Sequence, residues 1–483
     1  MRSPILGSSY VARSVNAACN RMVNLFPEIS EEGGNEAGFL SRAPGLRLLT
    51  TVGSGPIRGM CQFGGYSYIA SGLGLYRVSS EWNVTLLGEI QGTGPVTMAN
   101  NSVVLFVACG RAGYTFNSET GLFSQITDSN FPGADTVGYL DGYFIYNEPN
   151  TQRVRIVTSI ANNGGIIDPL VFDSFDYTNA YASPDVVVGI LIDHREVWVF
   201  GTSSTEVLYN SGDADFPLQP ISGAFNEVGC VSPHSIVKLD NGIFWIGSDD
   251  RGNGIVYRAN GYVAQRISTH AVEWQIQQYD DISDAIAYSY QQDGHSFYVL
   301  TFPSADVTWV FDIATSSWHE RAGFSNGRFT RHRSNCQMNF NGLPVVGDFE
   351  NGNIYALDMT TYADNGTPQK WLRSWRALPA GENDFNRKTH HSLQLHIESG
   401  VGLVNGQGSD PMVALRWSDD GGHTWSSEVW RSMGKVGEYF KRVIWRRLGM
   451  TLKLRDRIYE VSGTDPVKVI ITGATLDLSN TDA

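Results

Sequence analysis

Apolar and polar positions along residues 235–266, SIVKLDNGIFWIGSDDRGNGIVYRANGYVAQR, mark out four short strands. Residues 235–239, 243–248, 254–258 and 262–266 are the strands, with Asp240-Asn241-Gly242 and Ala259-Asn260-Gly261 as two of the turns between them. Asn-Gly and Asp-Gly are strong hairpin signals because a type I′ turn needs φ > 0 at both central residues. The unit recurs. Its first turn falls at Gly64-Gly65, Asn100-Asn101, Asp141-Gly142, Asp193-His194, Asp240-Asn241-Gly242, Asp293-Gly294 and Asn341-Gly342, in steps of 36 to 52 residues. A third strand bearing an aromatic follows in most units, at Leu75-Tyr76, Leu208-Tyr209, Val256-Tyr257, Val310-Phe311 and Ile354-Tyr355. A four-stranded unit repeating every roughly 40–50 residues predicts a β-propeller, here of about seven blades over residues 59–380, with six as the alternative. One such sheet cannot bury both of its faces alone; sheets packed face to face around an axis can.

The repeat fades after Tyr362. Residues 370–376 read as a last propeller strand and 381–389 as a linker. Alternation of period two then resumes at Leu393, Leu395 and Ile397, at Val413 and Leu415, and at Val443-Ile444-Trp445. It continues at Leu452 and Leu454 and over residues 467–472. With Gly and Asp turns between these strands, residues 390–483 predict a jelly-roll-like β-sandwich. Residues 1–58 do not repeat and read as an extended arm, with turns at Pro27 and Pro44-Gly45. Its Val23, Leu25, Phe26, Phe39, Leu40 and Leu46 are suited to add strands to the first or last blade, which would close the ring. The expected fold class is all-β, a propeller followed by a sandwich.

Composition narrows the function. The 483 residues leave room for one domain beyond a propeller of about 250–350 residues. The net charge of −14 disfavours nonspecific nucleic-acid binding by the chain as a whole. Cys19, Cys61, Cys109, Cys230 and Cys336 are scattered without CxxC spacing, so they read as buried reduced thiols rather than a zinc site or a disulfide framework. The opening MRSPILGSSYVARS lacks the apolar core of a signal peptide. No run of about 18 apolar residues is present to span a membrane.

Within the arm, NRMVNLFPE (residues 20–28) precedes FLSRAPGLRLL (residues 39–49). The pairing of VNLFPE with a downstream APGL, ahead of a repetitive all-β body, resembles the packaged-DNA stabilisation proteins of short-tailed bacteriophages (podoviruses). These are also called tail accessory or head-closure factors, or tail hubs. GTGPVTMANN (residues 92–101), VGILIDHREVWVFGTSSTEVLYNSGD (188–213) and KRVIWRRLGM (441–450) extend the resemblance over nearly the whole chain. The resemblance implies a non-enzymatic virion protein of the phage tail, assembled in the host cytoplasm, with no catalytic, cofactor or metal site. It would sit below the portal and its adaptor ring as a ring of six copies and seal DNA in the head. It would also line the ejection channel, touching DNA only as it passes. The tail needle or plug and the tail fibres or spikes would be further partners.

Other chemistry is weaker. Asp193-His194-Arg195-Glu196 reads as solvated charge at a hairpin tip. His295 and Trp318-His319-Glu320-Arg321 give no HExxH or comparable pair, and no nucleophile sits in a GxSxG setting. Arg328, Arg331, His332 and Arg333 read as a solvated loop, with DNA or an acidic partner as the functional alternative. Residues 161–185, rich in Asp, Asn and aromatics, read either as contact with a neighbour or as a loop packed on its own blade. Asp168, Asp173 and Asp176 lack the spacing of a DxDxDG calcium loop.

The sandwich carries two more signals. Ser418–Trp425, SDDGGHTW, fits the Asp-box of glycan-acting propellers, whose local job is a hairpin. Asp420 would bond turn N–H groups, Gly422 would supply φ > 0, Trp425 would pack, and Ser418 and Thr424 complete the pattern. A sialidase would need several boxes and an arginine cluster on the ring axis. A glycan- or receptor-binding propeller is the alternative function from another class. Lys435, Lys441, Arg442, Arg446, Arg447, Lys453, Arg455 and Arg457, against Glu438 and Asp456, give a local balance of +6. They are the candidate interface with an acidic ring partner or passing DNA.

Overall fold

The structure is a computed structural model. It describes the chain except residues 15–17, 31–37, 162, 181–182, 214–215, 250–251, 380–385, 452–455 and 481–483. Seven antiparallel sheets occupy residues 57–89, 97–125, 137–179, 187–226, 229–266, 286–325 and 334–358, here blades 1 to 7. Their innermost strands touch in chain order, with Pro233–Ser235 between blades 4 and 5, and blade 7 returns to blade 1. The ring therefore has seven members. Each blade buries both faces, so its second strand is an apolar run: Val104–Cys109, Glu196–Gly201, Gly242–Asp249 and His295–Phe302. A separate apolar cluster fills each of the seven gaps between blades; Phe106, Phe144 and Tyr146, for example, meet between blades 2 and 3.

The hairpin chemistry is what the turn residues require. Gly64-Gly65, Asp141-Gly142, Asp240-Asn241, Asp293-Gly294 and Asn341-Gly342 have φ > 0 at both central positions. In blade 4 the turn is His194-Arg195 (φ 48° and 62°), one residue later than expected. Asp193 stays in the strand, paired with Glu196, and its buried carboxylate is held by Lys238 and His194. In blade 2 only Ser102 is left-handed, and Asn101 Oδ1 instead accepts from Val103 N and Val104 N at 3.1 and 2.7 Å.

The described residues up to Thr51 are woven through the rest. Gly45–Thr51 is the fourth strand of blade 7, antiparallel to Asn353–Asp358 with Leu46 opposite Leu357, and the short hairpin of Ala363–Asp364 and Thr367–Pro368 pairs on its other side. The other arm strands go elsewhere. Leu25–Ile29 and Gly38–Arg42 join one sandwich sheet with Ile470–Asn480, Lys388–Ile397 and Val443–Arg446. Met22–Val23 joins the other, which also holds Trp371–Arg376, Ile458–Gly463, Met412–Ser418 and Val429–Ser432. Val23 also bridges to Glu320, so that sheet runs on into blade 6. Residues 370–376 are thus not a propeller strand. Blade 7 already has its fourth strand from the arm, and Trp371 and Trp375 bury their indoles in the sandwich core beside Leu393, Leu415 and Trp445. The last sandwich strand begins at Ile470, later than the expected 467–472, and Leu452 and Leu454 lie outside the described residues.

Two buried polar side chains tie the weave. Asn24 (φ 53°) donates through Nδ2 to Ala322 O and Lys370 O, both at 2.8 Å, and its Oδ1 accepts from Ala322 N. Arg42, 1 % exposed, donates to Asp465 O, Val467 O, Tyr362 O and Gln369 O at 2.6–3.0 Å. One guanidinium thereby holds the arm, the exit from blade 7 and a sandwich loop. Burial lowers its pKa to about 10 and raises that of the neighbouring Asp364 carboxyl to about 7.

Candidate docking surface

Strand order places two loops at one end of the sandwich. Lys388–Ile397 belongs to one sheet and Met412–Ser418 to the other, so residues 398–411 cross between sheets. Residues 433–442 cross back from Val429–Ser432 to Val443–Arg446. Because Met412 pairs with Ser432 and Leu395 with Val443, both crossings share an end. Gly434 and Gly437 turn the second loop at φ 97° and 86°. Gly400 lies directly beneath Tyr439 with no room for a side chain. The loops form a tip on which Val436, Tyr439, Phe440, Leu403 and Val404 face solvent; Phe440 is 99 % exposed.

The candidate basic residues divide around this tip. Lys435, Lys441 and Arg442 are exposed on it, with Arg442 reaching Gln394. Arg446 and Arg447 are exposed at the far end of the edge strand Val443–Arg446, where Arg447 has φ 60°. Lys453 and Arg455 lie outside the described residues. Arg457 is no interface residue. It is 2 % exposed, forms a two-armed pair with Asp419 at 2.7 and 2.7 Å, and donates to Leu448 O and Met450 O. Its position just before the buried strand Ile458–Gly463 turns it into the sandwich.

The Ser418–Trp425 hairpin is internally bonded. Asp420 accepts from Thr424 N at 2.9 Å and from the Thr424 hydroxyl, and Ser418 Oγ accepts from Gly422 N at 2.8 Å. The hydroxyl and amide of Thr424, with the Ser418 hydroxyl, push the Asp420 carboxyl well below the usual range. Gly421 and Gly422 supply φ of 80° and 95°, and Arg416 lies over the Trp425 ring at 4.6 Å. The carboxylate of this motif is occupied by its own turn.

Elsewhere many of the described charged groups are tied into the fold. Among the described residues no group of three His, Cys, Asp or Glu could hold a metal. The run 328–333 is not simply solvated: Arg331 stacks on Phe349, Arg333 pairs with Asp348 and Glu350, and His332 is buried. His319 is fully buried against Phe26 and Phe297, and burial drives its pKa well down. His295 is bonded to Asp312 at 2.9 Å. The 161–185 loop packs on blade 2: Leu170 and Phe172 enter the core between blades 2 and 3, and Phe172 N donates to Asp128. Val171 and Phe175 point out, 71 % and 82 % exposed. Sequence reasoning missed the apolar tip, and it offered the 161–185 loop as a neighbour contact without singling out Val171 or Phe175. The available signal was a large apolar residue beside glycine or aspartate in a segment without alternation.

A family model for the β-propeller of bacteriophage P22 Gp10 matches residues 1–362, and one for the P22 Gp10 β-sandwich matches residues 370–479. The chain belongs to the P22 Gp10 family. As a Gp10-type protein it is a packaged-DNA stabilisation protein of the short-tailed phages and a structural component of the virion. The propeller match begins at residue 1, in keeping with an arm strand that completes blade 7. A search of curated proteins finds no match to the chain. Among solved structures, the extracellular domain of the putative one component system BT4673 from B. thetaiotaomicron is similar at TM-score 0.43 and 10 % identity, over 80 % of this chain and 47 % of that one. The β-propeller domain of Myceliophteria_thermophila Cps50 (Swd1) is similar at TM-score 0.41 and 8 % identity, over 64 % and 98 %. Neither likeness bears on function. No helix in the described residues is long and apolar enough to cross a membrane.

Proposed function

We propose that this protein closes the phage head after DNA packaging. It binds below the portal and its adaptor ring, retains the genome, and forms part of the channel through which DNA leaves. Copies of the chain, six by the family resemblance, make the ring, and the needle or plug and the fibres or spikes attach to it. The reading is carried by the family matches, which together take in both the propeller and the sandwich. The exposed tip with Lys435, Lys441 and Arg442 supports it as a surface suited to an acidic protein partner. Its mechanism is geometric: an interface completed only once the preceding ring is in place.

The test uses particles that have packaged DNA and carry portal and adaptor but lack this subunit. Adding the purified protein should bring it to the vertex and protect the DNA from nuclease. Particles that stay leaky, with no protein bound, would refute the closure role. Binding to a surface glycan instead would transfer the assignment to a receptor-binding propeller.

A further inference from the structure

Two exposed apolar knobs of opposite charge stand at opposite ends of the molecule. The first is the sandwich tip, with Tyr439 and Phe440 71 % and 99 % exposed. Residues 430–447 around it hold six Lys or Arg and a single Glu. The second is the blade 3 loop with Val171 and Phe175. Residues 161–185 hold four Asp and no Lys or Arg. The nearby Arg155 and Arg153 pair with Glu148, at 2.6 and 3.7 Å; Arg155 also donates to Ser174 O and offsets Asp176 in part, which leaves Asp173 as the exposed carboxylate of the knob. Asp173 Oδ1 accepts from Phe175 N at 2.9 Å, which fixes the backbone of the exposed ring.

Their placement follows from the ring. The sandwich is joined to blade 6 through Val23 and, through the arm, to blade 7. Blade 3 is three blades from blade 6 in one direction and three from blade 7 in the other. Phe175 precedes Tyr177–Asn179, the outermost strand of blade 3, so its knob is on the rim facing away from the sandwich. Charge divides in the same sense: residues 363–483 carry 16 Lys or Arg against 14 Asp or Glu, and residues 1–362 carry 19 against 35.

We propose that the sandwich tip of one copy docks on the blade 3 loop of the next, joining copies of this chain head to tail. Tip against tip would set cation on cation, and loop against loop carboxylate on carboxylate, so a twofold contact is disfavoured. Two different faces make a heterologous contact, which forms a ring when the rotation closes. Phe440 and Phe175 are the apolar anchors; Lys435, Lys441 and Arg442 set the pairing against Asp173 and its neighbours. The inference rests on the ring assembly proposed above and names its two faces.

Sedimentation velocity of the full chain at low ionic strength, over a concentration series, tests it. A tip variant carries Lys435→Glu, Lys441→Glu and Arg442→Glu; a loop variant carries Asp173→Asn, which keeps the Oδ1 acceptor for Phe175 N, and Phe175→Ser. All five side chains are exposed, so circular dichroism and melting should match wild type. Each variant alone should lose about tenfold or more in association constant, as when an interface anchor is removed. Mixed, they should form a 1:1 dimer and nothing larger, because one intact face remains on each. If both variants assemble as wild type does, or if the mixture fails to pair, these faces are wrong while the ring reading stands. A wild type that stays monomeric at every concentration, and on particles bearing portal and adaptor, removes both.

Discussion

Replacing Arg42 with methionine should uncouple the two domains. The side chain is 1 % exposed, and its guanidinium serves four backbone carbonyls from three separate segments. Asp465 O keeps a second donor, Val467 N at 2.8 Å, but Tyr362 O, Gln369 O and Val467 O would lose the bond they have here. A buried acceptor left without a donor costs about 1–3 kcal/mol, and methionine recovers part of this through its apolar stem, so the net loss should be about 4 kcal/mol. Arg42→Lys should lose nearly as much, because one ammonium cannot span that fork. Urea unfolding followed by tryptophan fluorescence is the assay, since Trp371, Trp375 and Trp445 are buried in the sandwich core. The variant should show an early sandwich transition ahead of the propeller. A single transition weakened by less than about 1 kcal/mol would mean that water already serves these carbonyls, and the clamp argument fails.

Three further outcomes follow from buried or self-bonded groups. Burial lowers the His319 pKa, so the unfolded chain takes up a proton there that the folded chain refuses, and stability falls as pH drops below about 6.5. His319→Phe, which also removes two unpartnered ring nitrogens, should unfold later in urea than wild type, by a margin that widens from pH 7 to pH 5. Asp364 runs the other way: with its folded pKa raised to about 7, its contribution is full below about pH 4 and is lost as pH rises through 7. Asp364→Asn should therefore gain on wild type between pH 4 and pH 8, by at most about 4 kcal/mol, in the same urea assay. Asp420→Ala should speed hydrogen exchange at the Thr424 amide and leave tip-dependent assembly in the sedimentation assay unchanged, since that carboxylate bonds within its own hairpin.

The propeller was legible because its turns announce themselves. Asp141-Gly142, Asp293-Gly294 and Asn341-Gly342 can hardly be read otherwise, and their spacing leads directly to seven blades. The weave was not legible. Strand partners about 350 residues apart leave no local trace, so Met22–Val23 and Trp371–Arg376 show only that they are apolar, not which sheet receives them. Charge alone also misled at Arg457. A cation next to an apolar strand reads as surface until its acceptors, Asp419 and two carbonyls, are seen to converge on it. The apolar tip was hidden by its own brevity, since Tyr439-Phe440 is too short a run to show a period.

The arm strand that completes blade 7 imposes an order in time. Gly45–Thr51 is made early, but its partner Asn353–Asp358 follows some 300 residues later. At about 5–20 residues per second, the ribosome leaves that edge waiting for about 15–60 s. Leu25–Ile29 and Gly38–Arg42 wait longer still, because Ile470–Asn480 is among the last strands made. Six blades can pack during synthesis while Phe26 and Leu46 remain bare. The nascent chain is therefore most prone to aggregate at these arm strands, and a chaperone that shields them would govern how much protein reaches the native state.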